Sequence, residues 1–210
     1  MTEYHIPTAP AEAELVEKRS RFIGQIRPVA SEEEARAHID QIKKKHYDAR
    51  HNCWCYLLKD GPVRYSDDGE PQGTAGQPML GVFQKAGITN VCCVVTRYFG
   101  GILLGAGGLV RAYTQAAKLA LDAAGIAVVR RWVELEMDCP YSFFERVKME
   151  VMAQGGTLGE IDYAAQVTVR LLLPEEKAVP FGERMVELSA GACRVVELGE
   201  RFQAVPIQRI

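Results

Sequence analysis

Long apolar runs and metal-ligand clusters are both missing from this 210-residue chain. No stretch approaches the roughly 18 apolar residues that a membrane-spanning helix needs, so a bilayer protein of that kind is excluded. Residues 1–10 lack a basic region followed by an apolar one, so no secretory signal is expected and a cytoplasmic protein is the default. There are four histidines and two tryptophans. His-Glu-x-x-His, the Gly-x-Ser-x-Gly elbow and the Gly-Lys-Ser/Thr ending of a P-loop are all absent. Neither a resident metal nor a cofactor is expected.

Six cysteines are present. Cys53, Cys55, Cys92, Cys93 and Cys139 lie in apolar, strand-like stretches and Cys193 borders one, the placement of small buried hydrophobes in a reducing compartment. Cys53-x-Cys55 beside His51 invites a metal reading. Alternation along a strand turns neighbours such as Cys92 and Cys93 to opposite faces, however, and neither cysteine pair has zinc-finger or zinc-ribbon spacing.

Charge is divided unevenly. Residues 1–131 hold 17 Lys and Arg against 14 Asp and Glu, and residues 132–210 hold 8 against 13. With a net charge of −2 overall, the chain is no general polyanion binder, and any nucleic-acid contact belongs in the first part.

Residues 3–30 read as extended. Ser31 with Glu32, Glu33 and Glu34 opens a helix that runs to about Lys45, its Lys43–Lys45 run complementing the helix dipole. Cys53–Leu58 reads as a short strand, and the turn-rich 66–78 leads into a helix over 78–86. Val91–Tyr98 has the continuous apolar character of a strand buried on both faces. A helix follows over 109–124, closed by Gly125. Its inner face carries Leu109, Ala112, Ala116, Leu119, Ala120 and Ala123, and its polar stripe Arg111, Gln115, Lys118 and Asp122. After residue 125 the order strand (127–138), helix (140–153), strand (159–163), strand (166–173), helix (174–190), strand (194–202) is a β-α-β-β-α-β plan. Two domains are expected, 1–130 and 131–210.

The densest chemical signal runs from Arg97 to Tyr113, with five glycines, Gly100, Gly101, Gly105, Gly107 and Gly108, between a buried strand and a helix. Glycine permits positive φ and close backbone approach, and amides at a helix start can receive an anion. Arg97 and Arg111 bracket that point, and Tyr98, Phe99 and Tyr113 could stack on bases or fill core. The plain alternative is a tight turn with close helix packing. The second signal is the loop 66–78. Asp67, Asp68 and Glu70 could hold a hard cation, cap turns or pair with the arginines. Gly73 and Thr74 offer further backbone donors before a helix.

These two segments, Tyr65-Ser-Asp-Asp-Gly-Glu-Pro-x-Gly-Thr-Ala-Gly-x-Pro78 and Arg97-Tyr-Phe-Gly-Gly-x-x-Leu-Gly-x-Gly-Gly-Leu-x-Arg-Ala-Tyr113, resemble the IMPACT family and its bacterial YigZ-type branch. The resemblance spans essentially the whole chain. It implies an α+β protein: an N-terminal domain like domain 2 of ribosomal protein S5, then a ferredoxin-like domain resembling domain V of elongation factor G. Eukaryotic members are associated with translational control, partly through an extra RWD domain whose pattern does not precede the first strands here.

The expected function is therefore that of a non-catalytic, translation-associated regulator. It would bind RNA, the ribosome or a translation factor through Arg97, Tyr98, Arg111 and the glycine-loop amides. An enzyme acting on a phosphorylated or nucleotide substrate is the alternative, with the glycine loop as phosphate site. The fold implied by the resemblance is shared with small-molecule kinases, an analogy at fold level only.

Overall fold

The computed structural model describes residues 3–207. The described residues divide into two compact units, one of Tyr4–Val128 with 204–207, the other of Val129–Gln203 with Glu3.

In the first unit, β2 (Ala11–Glu17), β3 (Ser20–Pro28), β4 (His51–Leu57), β5 (Val63–Ser66) and β6 (Val91–Tyr98) form a sheet of order β2-β3-β6-β4-β5. Each neighbouring pair is antiparallel. Three helices, α1 (Glu32–Lys45), α2 (Gly76–Lys85) and α3 (Ala106–Ala124), cover it. Strand β1 (Tyr4–Pro7) adds a parallel bridge from His5 to Ile88.

The central strand β6 feeds two cores. Cys93 and Val95 pack with α2 and α3, whereas Cys92 and Val94 pack with Ile39 and Ile42 of α1. That is the two-sided burial its unbroken apolar run predicts. Cys53 and Cys55, two positions apart, share one face, and Cys55 stands opposite Cys93. All six cysteines are free and buried. Burial pushes the Cys53 and Cys92 thiols up to about 12 and those of Cys55 and Cys93 well above the ordinary range. None of these four is a ready thiolate nucleophile.

Apart from shifted ends of α2 and of two later strands, Thr157–Tyr163 and Arg194–Pro206, sequence and structure differ at three places in the first unit. The edge strand β5 is too short and exposed to carry a period of its own, and it exists through its pairing with β4. Helix α3 begins at Ala106, three residues earlier than the pattern places it, so Gly107 and Gly108 sit in its first turn. Its inner face is also turned: Tyr113, Ala117 and Leu121 are buried and Ala123 is exposed. Tyr113 packs edge-on against Phe22 at 5.1 Å, which draws that side of the helix inward.

The second unit follows the β-α-β-β-α-β order: β7 (Ile126–Cys139), α4 (Tyr141–Ala153), β8 (Thr157–Tyr163), β9 (Val167–Pro174), α5 (Glu175–Leu188) and β10 (Arg194–Pro206). The sheet has five strands: β1 pairs with β7 in the order β1-β7-β9-β8, and β10 also pairs with β7. Val133, Leu135 and Met137 of β7 alternate into a core closed by Val147 and Val151 of α4 and Phe181 and Met185 of α5.

Candidate functional site

The sheet order brings the two signal segments together, because β6 ends beside β4 and the 66–78 loop passes over both. His51 pairs with Arg97 across β4 and β6, and Phe22 pairs with Arg97 across β3 and β6.

The three loop carboxylates diverge. Asp67 turns back onto the start of α2, accepting from the Gly76 and Ala75 amides at 2.8 and 3.1 Å and from the Gly73 amide at 2.8 Å. Helix α2 has no capping side chain at Ala75, so Asp67 does that work from eight residues upstream. Asp68, held at φ +42, pairs with Lys43 at 2.8 Å and accepts from the Asn52 amide at 2.7 Å. Its carbonyl accepts from His51 Nδ1 at 3.0 Å.

Glu70 goes inward and accepts from Arg97 Nη1 at 2.7 Å and from the Tyr113 hydroxyl at 2.8 Å. Both charged side chains are buried. Burial is the first cause, ahead of neighbouring Cys53 and Glu70, that pushes the Tyr113 phenol far above its ordinary range, so it remains a donor. Thr74 is buried too, its hydroxyl donating to the Pro71 carbonyl at 2.6 Å. Among the described residues no group of three or more His, Cys, Asp or Glu is placed to hold a metal ion.

The glycine segment is built differently. Gly100 donates to Ser20 Oγ at 3.2 Å, and a Cβ there would land on the backbone of Arg19. The close approach locks the segment to the β2–β3 hairpin tip. That tip is a two-residue turn, Glu17 pairing with Ser20, whose central residues Lys18 and Arg19 sit at φ +45 and +65. Asn and Gly are the residues usually found there. Gly101 and Gly105 are also at positive φ, +83 and +73, and face open space.

The exposed chain between them carries Ile102 and Leu103, the latter 82% exposed, and Phe99 is exposed just before Gly100. A groove of about 480 Å³ runs from Leu15 and Lys18 across to Leu104, Gly108 and Arg111. Arg111 is exposed and lines that groove. Tyr98 is half-buried, its hydroxyl donating to Asp48 at 3.0 Å and lying 2.9 Å from His46 Nδ1.

The candidate residues thus separate into two sets. Glu70, Arg97, Tyr113, Asp67, Asp68, Gly73 and Thr74 form an internal brace. Gly101, Gly105, Gly107 and Arg111 lie on an outer face that also includes Lys18, Arg19, Phe99, Ile102 and Leu103. The hairpin-tip cations escape sequence reading because Lys-Arg carries no turn signature, and only the two flanking alternating runs hint at the hairpin.

The molecule is a two-unit α+β protein with a braced glycine segment presenting a mixed basic and apolar face. The comparisons give that class its family. Residues 18–121 match the Impact N-terminal domain and 137–192 a domain of unknown function (DUF1949). The chain is 38% identical over 188 residues to IMPACT family member YvyE of Bacillus subtilis, covering 89% of this chain and 87% of the relative. It is 34% identical to IMPACT family member YigZ of Escherichia coli, covering 95% of this chain and all of that one. A crystal structure described as that of a hypothetical protein, 33% identical, matches with a TM-score of 0.59 over 93% of this chain and 97% of its own. Similarity to the Protein IMPACT homolog of Dictyostelium discoideum covers 48% of this chain and 30% of that protein. This chain belongs to the IMPACT family.

Proposed function

We propose that this protein is a non-catalytic, translation-associated regulator acting in the cytoplasm, with a boundary near residue 130 between an S5 domain 2-like and a ferredoxin-like domain. It binds RNA, most directly ribosomal RNA, through the outer face of the glycine segment. The observation that carries this reading is the juxtaposition of Lys18, Arg19 and Arg111 with exposed Phe99, Ile102 and Leu103 on one braced loop and hairpin. Cations positioned near phosphates supply affinity, and exposed apolar and aromatic side chains suit unstacked bases. The pairing of β7 with both β9 and β10, and of β9 with β8, supports the ferredoxin-like assignment.

The nucleotide-enzyme alternative is weakened because the oxygens of Asp67, Asp68 and Glu70 accept from protein donors. In its favour, the start of α3 at Gly105 has no side-chain cap. Co-sedimentation with ribosomes across a salt series tests the proposal, comparing wild type with the Lys18→Ala, Arg19→Ala, Arg111→Ala variant. Salt-sensitive binding with a slope reduced by about 2–3 in the variant supports it. Equal binding by both proteins, or none by wild type, overturns it. Saturable nucleotide binding would then favour the enzyme.

A further inference from the structure

The second unit holds an unfilled place beside its last strand. Strand β10 pairs only with β7 among the described residues, leaving its other edge without a strand partner. A groove of about 580 Å³ opens there between β10 and α5, floored by Leu135, Ala178 and Val195. Val179 and Val186, on the flank of α5, are 69% and 45% exposed. Glu183, Glu187 and Glu197 line the same groove with no lysine or arginine among the lining residues. No ion pair engages any of the three within the described residues. On the opposite face of β10, Val196 and Leu198 are exposed side by side at 43% and 46%. Long, exposed apolar sheet edges are normally blunted by charge, proline or a covering element.

We infer that β10 is a docking edge for an extended segment of a partner protein that alternates basic and β-branched residues and adds to the sheet as a further strand. Main-chain hydrogen bonds to the free edge give such an addition its affinity, and alternate side-chain positions give it specificity. Lysine or arginine at every second position turns toward α5, its methylene stem covering Val179 and Val186 and its charge reaching Glu183, Glu187 or Glu197. The intervening β-branched residues extend the Val196–Leu198 row on the other face. A second copy of this chain is the poorer occupant, since two β10 edges paired about a two-fold axis bring their acidic rims together. The inference is independent of the RNA-binding face, which belongs to the other unit.

The test uses the full chain and two capped peptides, one alternating lysine with valine and one alternating glutamate with valine. Binding is read by fluorescence anisotropy and backbone protection by hydrogen–deuterium exchange. The lysine peptide is expected to bind, weaken with salt and slow exchange along residues 195–202, while the glutamate peptide does neither. The triple variant Glu183→Lys, Glu187→Lys, Glu197→Lys changes only exposed side chains. Three exposed ion pairs account for about tenfold in affinity, so it should bind the lysine peptide about tenfold more weakly and admit the glutamate peptide. Lysine-peptide binding without protection at β10, equal binding of both peptides, or concentration-dependent self-protection of β10 each overturns the inference.

Discussion

The Arg97 guanidinium meets the Glu70 carboxylate at 2.7 Å with the two side chains 8% and 3% exposed. A pair so far from water couples β6, the strand that leads into the glycine segment, to the acidic loop, and Tyr113 adds the helix behind them. Breaking one side leaves the other charge buried without a partner. Arg97→Ala or Glu70→Ala is therefore expected to destabilise the first unit by about 3–5 kcal/mol in denaturant titrations. The double replacement Arg97→Met, Glu70→Leu should recover much of that loss. Equal damage from single and double variants would refute the pairing as the cause.

Tyr113→Phe keeps the ring against Phe22 and removes only the donor to Glu70. A loss of about 1.5–3 kcal/mol is expected for a hydrogen bond to a charged group, with the sheet's amide spectrum otherwise unchanged.

At Gly100 the limit is contact with the Arg19 backbone, whereas at Gly101 it is a φ of +83 in open space. Gly100→Ala should cost on the order of 3 kcal/mol and disturb the hairpin amides. Gly101→Ala should cost only about 1–2 kcal/mol. A reversed order would show that the loop and hairpin are not packed together in solution.

Replacing the hairpin tip by Lys18→Asn with Arg19→Gly supplies residues that favour its left-handed backbone. Stability should rise by about 1 kcal/mol while ribosome co-sedimentation weakens. A stabilised variant that binds as well as wild type would remove these cations from the proposed interface.

Acidification from neutrality should destabilise the first unit through two buried histidines. Burial holds His46 and His38 below the usual histidine value of 6.5, with Lys45 next in effect on His46, while a hydrogen bond that His38 donates to the Gln25 backbone partly offsets burial there. A depressed folded-state value means the unfolded chain binds more protons, so stability rises with pH across the interval between the two values. The denaturation midpoint is thus expected to fall as pH drops from about 7 through 6. His46→Gln should flatten that dependence, and an unchanged slope would assign it elsewhere.

The elements with a strong period were legible from sequence. Ser31 and three following glutamates announced α1, and Ser31 Oγ does accept from the Glu34 amide at 3.2 Å. The apolar run 91–98 announced a strand buried on both faces. The destination of isolated polar residues was not legible. Arg97 and Arg111 look alike in the chain, but β6 carries one into a buried pair and α3 leaves the other outside. That divergence depends on which strands become neighbours, a property of pairing across distant segments. Lys18 and Arg19 were invisible for a different reason: their turn is imposed by the flanking strands and not by their own preferences.

Asp67 gives the first unit an unusual economy. The amides opening α2 are already satisfied by a carboxylate from the same chain, so that helix is born with its guest in place. An incoming phosphate would meet a tenant tethered nine residues away and would have to displace it against the loop that Glu70 and Asp68 fasten on either side. Emptying the pocket by Asp67→Gly would turn a keystone into a vacancy, exchanging rigidity of the loop for a new appetite for inorganic anions.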